Sequence, residues 1–249
     1  MGFIKGFIMS LGMYSIIPVP KNSWDEKNKH FVLQSLPLVG AIIGLIWYGL
    51  SLLILPLFMP IMLKSVLILF IPFFLSGFIH LDGYMDTADA VFSRRSLDEK
   101  KRILKDTHVG AFAVFAVSAL LLFQLSAVYS IATSQNSVLL FIFIPVVSRC
   151  IACIAVFRMK QVFETGYAAS FRNGTKPIHT IFICILMLIC FIAAWFLVGI
   201  TALPLLTGAI AGLLTMWYLY RQFQGISGDL SGCIITVSEL AALICLALL

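Results

Sequence analysis

Apolar residues in this chain come in long uninterrupted runs rather than in the one-sided stripes of a soluble helix. A membrane-crossing helix needs about 20 predominantly apolar residues. Runs of that length recur at 36–55, 61–80, 110–131, 138–157, 178–198, 202–220 and 230–249, which predicts an all-α polytopic bundle of seven spans. The stretch 3–19 is also apolar, but it is short, carries Lys5, Gly6 and Gly12, and runs into Pro18 and Pro20. It predicts an interfacial or partly inserted N-terminal helix. Having no small-residue cleavage site, it does not read as a secretory signal. No polar block is long enough for a core of its own, so 1–249 reads as one membrane domain.

Composition sharpens this picture. Charged residues make up 11% of the chain, against about 25% in ordinary soluble domains, too few to coat a globule in water. Their placement alternates. Lys5, Lys21, Lys27 and Lys29 precede the first span, Arg94, Arg95, Lys100, Lys101, Arg102 and Lys105 follow the second, and Arg158, Lys160, Arg172 and Lys176 follow the fourth. Arg221 follows the sixth, whereas the other side holds only Lys64. Because cytoplasmic loops carry the excess of Lys and Arg, the N-terminus is expected in the cytoplasm and the C-terminus outside. The same rule accounts for the net charge of +6, and no aromatic-rich basic patch suggests a nucleic-acid partner. Cys150 and Cys153 spell CxxC inside a span with no second ligand pair, so they read as small buried hydrophobes. GAIIG at 40–44 and GAIAG at 208–212 suit close helix packing. The glycosylation-type triplet at Asn173 lies on the expected cytoplasmic side and reads as incidental.

Chemistry concentrates in HLDGYMDTADA at 80–90. On a helix, Asp82, Asp86 and Asp89 occupy one narrow stripe, because spacings of four and three return to the same face. Like charges on adjacent turns beside a membrane need compensation, and a divalent cation with hard oxygen ligands supplies it, magnesium or manganese. A solvated acidic helix start is the alternative. Gly83 weakens such a helix, which implies a bend or a close backbone approach by a ligand. His80 reads either as an interfacial histidine or as a base. RRSLDEKKRILKDTHVG predicts a basic helix ending near Gly110, with Arg94, Arg95 and Lys105 available for phosphate groups. Asp106 and His108 at its end either join the acidic cluster or mark the interface. QGISGDLSG at 224–232 predicts a glycine-rich loop that presents Asp229 and backbone N–H groups. Arg149 and Glu239 fall inside spans, where ionisable groups are either functional or paired with each other.

These motifs, in this order, resemble the cobalamin synthase family, the adenosylcobinamide-GDP ribazoletransferases, and the likeness runs nearly end to end. IPVP at 17–20 and PLVGAIIG at 37–44 resemble the family's N-terminal signature. His80, Asp82, Gly83, Asp86, Thr87 and Asp89 match HxDGxxDTxD, LKDTHVG at 104–110 resembles the next element, and GISGDLSGCIITVSE places Asp229 and Glu239 in the late motif. Leu81, Ala113, and the Ser231 and Cys233 that flank Gly232 depart from the common pattern, and Leu81 thins the acidic cluster. The resemblance implies transfer of GDP-activated cobinamide phosphate to the 3′-hydroxyl of α-ribazole or its 5′-phosphate, releasing GMP. It further implies Mg²⁺ on Asp82, Asp86 and Asp89, catalytic roles among His80, Asp106, Asp229 and Glu239, and residence in the cell's inner membrane with the site facing the cytoplasm. A CDP-alcohol phosphotransferase has a related aspartate pattern, but Ile79 stands at its first Asp position. A transporter would instead use Arg149 and Glu239 along a pathway near the midplane.

Overall fold

The computed structural model describes residues 2–21, 23–134, 138–172 and 174–249. Asn173 of the glycosylation-type triplet lies outside them. The described residues form α-helices with no strand: α1 Gly2–Tyr14, α2 His30–Ile54, α3 Ile61–Leu75, α4 Ile79–Phe92, α5 Leu97–Ile103, α6 Ala111–Thr133, α7 Ile144–Arg158, α8 Tyr167–Arg172, α9 Pro177–Val198, α10 Leu203–Phe223 and α11 Gly228–Ala247.

Five helical segments are long and apolar enough to cross a membrane, and the bent pair α3–α4 adds a sixth. One of the five, Pro177–Phe223, has 47 residues. At 1.5 Å per residue it would measure about 70 Å, twice the bilayer core. It contains α9 and α10, broken at Gly199, whose φ of +60° takes it out of the helical region. The stretch 61–80 is not the single straight span expected from its composition. α3 closes at Leu75, and α4 leaves at 90°. The break is built from Gly77 and Phe78, both left-handed, with the Phe78 N–H donating to the Phe73 carbonyl and that of Gly77 to Phe74. This is a Schellman closure with glycine at its first left-handed position.

The segment Val138–Arg158, which ends in α7, is the centre of the bundle: 78% of its apolar stretch is buried, against 17% for the α9–α10 segment, which shows its apolar side chains outward. An apolar outer surface and a packed inner helix are what a bilayer solvent selects. α2 crosses α7 antiparallel through the expected glycines, Gly40 lying against the Pro145 carbonyl and Arg149, and Gly44 against the carbonyls of Phe141 and Ile142. Gly208 and Gly212 of α10 pack in the same way against Ser238 and Ile151. Trp47 stacks on Phe141 with centroids 4.1 Å apart and donates its indole N–H to the Ile68 carbonyl, tying α2 to α3. α1, too short to span, lies on α2 with Gly6 against Phe31. Cys150 and Cys153 are free and buried, whereas Cys184 is exposed on α9.

Candidate active site

α4 carries Asp82, Asp86 and Asp89 as expected, and helical geometry continues through Gly83. The reason for glycine there is a helix rather than a ligand. A Cβ on Gly83 would sit 2.7 Å from the Asp229 carbonyl oxygen and 2.8 Å from its Cα. One turn further along α11, a Cβ on Gly232 would stand 3.1 Å from the His80 carbonyl oxygen. The two backbones thus cross in direct contact, and Thr236 Oγ1 donates to the same His80 carbonyl at 3.2 Å. Residues 228–232 are the first turn of α11 and not a loop, started by Ser227, whose Oγ accepts from the Leu230 N–H at 3.3 Å.

The crossing sets Asp229 beside the acidic face of α4. Asp86 is half-buried, and Asp82, Asp229 and Asp89 all act on it as like charges. Asp82 is exposed. Asp89 turns toward the start of α6, where a side chain on Gly110 would run into its carboxylate, so an anion stands at that helix N-terminus. Among the described residues none of these four carboxylates forms an ion pair with Lys, Arg or His. Nor, among them, is any group of three His, Cys, Asp or Glu placed to hold a metal ion. In chemistry, though not in spacing, the donor set is that of a hard divalent cation: carboxylate oxygens from two helices, with no countercharge of their own.

Asp106 is exposed and bound to His108, whose Nδ1 is 2.7 Å from Oδ1 and whose backbone N–H donates to it at 3.0 Å. The His108 side chain and backbone N–H together hold this carboxyl below the usual carboxylate range. The basic helix is shorter than expected: α5 ends at Ile103, its start closed by a capping box of Ser96 and Glu99. Arg94 and Arg95 are exposed in the turn before it. Lys105 lies over the Phe163 ring at 4.2 Å, and Phe163, between α7 and α8, lines a cavity together with Asp229. Lys100 donates to Gln222 at 2.6 Å, a tie to α10 that no local pattern announces.

Glu239 and Arg149 are paired at 2.8 Å across α11 and α7, with Ser148 donating to the same carboxylate oxygen. Arg149 also donates to the Pro145 carbonyl. His80 is buried on the side of α4 away from Asp82, and its ring lies nearly parallel to Tyr14 of α1. Both line a cavity that ends at Asp229. Sequence reading missed Tyr14, because an apolar N-terminal helix carries no periodic mark of what its last turn will face.

A family model described as cobalamin-5-phosphate synthase matches residues 6–247. A curated relative from Clostridium botulinum (strain Alaska E43), named adenosylcobinamide-GDP ribazoletransferase, is 38% identical over 240 residues, 96% of this chain and 95% of its own length. Relatives of the same name from Clostridium perfringens (strain SM101) and Lachnoclostridium phytofermentans are 32% and 31% identical over 99% and 97% of this chain, and 99% and 93% of their own lengths. No solved structure matches significantly. With its early and late motifs meeting in space and its likeness running from one end to the other, the chain belongs to the cobalamin-5-phosphate synthase family.

Proposed function

We propose that this chain is an adenosylcobinamide-GDP ribazoletransferase, which joins the cobinamide phosphate to the 3′-hydroxyl of α-ribazole or its 5′-phosphate and releases GMP. The observation that carries this reading is the crossing of α4 and α11, which unites the carboxylates of two motifs about 140 residues apart. Relatives over the whole chain bear that activity as their name.

Asp82 and Asp86 of α4 and Asp229 of α11 would hold Mg²⁺, with Asp89 at the end of the same stripe. When bound, the cation neutralises charge on the diphosphate and on the departing GMP. Arg94, Arg95 and Lys105, exposed between α4 and α6, would offer the remaining positive charge. The reaction exchanges a phosphoanhydride link for a phosphoester. The ribazole hydroxyl oxygen bonds to the phosphorus nearer cobinamide, the bridge to the second phosphorus breaks, and the hydroxyl proton passes to solvent or base. GMP is the leaving group because a phosphate monoester departs far more readily than an alkoxide. The basic loops lie on the side of this site, and the positive-inside rule then supports a cytoplasmic active site in the cell's inner membrane.

Purified protein given adenosylcobinamide-GDP, α-ribazole and Mg²⁺ should release GMP and a cobalamin in equal amounts. Asp82→Asn and Asp86→Asn should each lower that rate by about two orders of magnitude or more, and excess EDTA should stop the parent until Mg²⁺ is restored. Full activity in EDTA would remove the metal, and no GMP from the parent would overturn the reading itself.

A further inference from the structure

Behind the acidic cluster lies a cavity of about 170 Å³, enclosed by α1, α2, α4, α7, α8 and α11. Its deep walls are apolar: Leu36 of α2, Ala152 and Val156 of α7, and Ile235 of α11. One side is aromatic, where the Tyr14 and His80 rings lie 18° from parallel with centroids 6.3 Å apart. Its rim holds Gly228 and Asp229, so the cavity and the carboxylate cluster meet at Asp229.

His80 is 8% exposed, and its Nε2 is buried with no hydrogen-bond partner. A buried polar atom left alone costs free energy, and native proteins keep few of them. Here the unpaired nitrogen belongs to a residue that lines a largely apolar space, whose other polar side chains include Tyr14, Ser231 and Asp229, which is the arrangement of a ligand site: apolar walls with a few placed polar groups.

We propose that this cavity receives the base of the nucleoside acceptor, a planar aromatic heterocycle with a single free ring nitrogen, which pairs with His80 Nε2. The inference rests on the transferase reading and names the part of the site that selects the acceptor. Size and polarity exclude the other reactant. A cavity of about 150 Å³ takes one benzene ring, so this one suits one or two small fused rings and not a corrin. Guanine carries donors and acceptors along several edges, and the polar side chains here, Tyr14 and His80 on one side and Ser231 and Asp229 at the α11 end, leave the apolar walls of Leu36, Ala152 and Val156 against the rest of them. A ribazole base has one free ring nitrogen, and the cavity has one unpaired buried nitrogen. With the base inside, the ribose stands at the rim, on the side of the carboxylates. His80 is then a specificity-determining residue, and the last turn of α1 forms part of the acceptor site.

The test uses the full chain in detergent. Equilibrium dialysis with radiolabelled α-ribazole should show roughly tenfold weaker binding for His80→Phe, which keeps the ring and removes the nitrogen. Ala152→Leu, which fills the cavity, should raise the KM for α-ribazole by a similar factor and leave the KM for adenosylcobinamide-GDP within about twofold. Leu36→Ala enlarges the space and should shift preference toward ribosides of bulkier bases, so a poorly folding Ala152→Leu does not end the test. If the parent releases GMP while all three variants keep parental α-ribazole binding and base preference, the cavity assignment is overturned and the transferase reading stands. If the parent releases no GMP, both fall.

Discussion

Gly83 is where one residue decides the site. By helix propensity alone Gly83→Ala should stabilise α4 by about 1 kcal/mol. The added Cβ would instead meet the Asp229 backbone at 2.7 Å, and backbone cannot swing aside as a flexible side chain can. The clash wins, because relieving it means separating α4 from α11 and drawing Asp229 away from Asp86. Gly83→Ala is therefore expected to lower GMP release by about a hundredfold or more, the scale of loss from a misplacement of about 1 Å, while detergent-solubilised protein remains monodisperse. Activity within twofold of the parent would show that the close contact does not position the site.

At the scale of elements, α7 and α11 are joined by an ion pair at nearly full burial, with side chains 2% and 12% exposed. Removing one partner strands the other charge, which costs about 3–5 kcal/mol, whereas replacing both by apolar groups of similar volume is often neutral. Glu239→Gln keeps hydrogen bonding to Ser148 and Arg149 but loses the charge; Glu239→Leu loses both. The expected order of thermal stability in detergent is parent, then Gln, then Leu, with Arg149→Met plus Glu239→Leu recovering much of the loss. If the double variant is no better than Glu239→Leu alone, the pair is not the main reason these two residues are present. The geometry gives Glu239 a role in holding α11 against α7, which in turn holds Asp229 at the α4 crossing.

For the molecule as a whole, orientation follows from which side carries the basic loops. In a cysteine-free variant, single cysteines at Ser96 and Gly174 should be shielded from an impermeant thiol reagent in whole cells, and one at Phe58 should react. Ser96 starts α5 on the side of the carboxylates, and Phe58, fully exposed, lies between α2 and α3 at the opposite end. Reaction at Ser96 from outside would reverse the membrane orientation and place the site away from the cytoplasm.

Membrane character, helical class and the early and late motifs were legible in the sequence, because run length, charge alternation and short spacings are properties of a line of residues. The 36–55 run and the glycine pairs at 40–44 and 208–212 needed no third dimension to be read. Other features depended on contacts between distant segments. The turn at Gly77 and Phe78 was hidden because apolar composition continues on both sides of it, so 61–80 looked like one straight span. Gly83 announced a close approach, but only the fold showed that the backbone of α11 fills it. Asp89 shares a stripe with Asp82 and Asp86 on the helix, yet α6 draws its carboxylate aside. The cavity at His80 exists only where α1, α2, α4, α7, α8 and α11 come together. A line of residues states which groups are present and which share a local face, but which of them meet is decided by the packing of helices far apart in the chain.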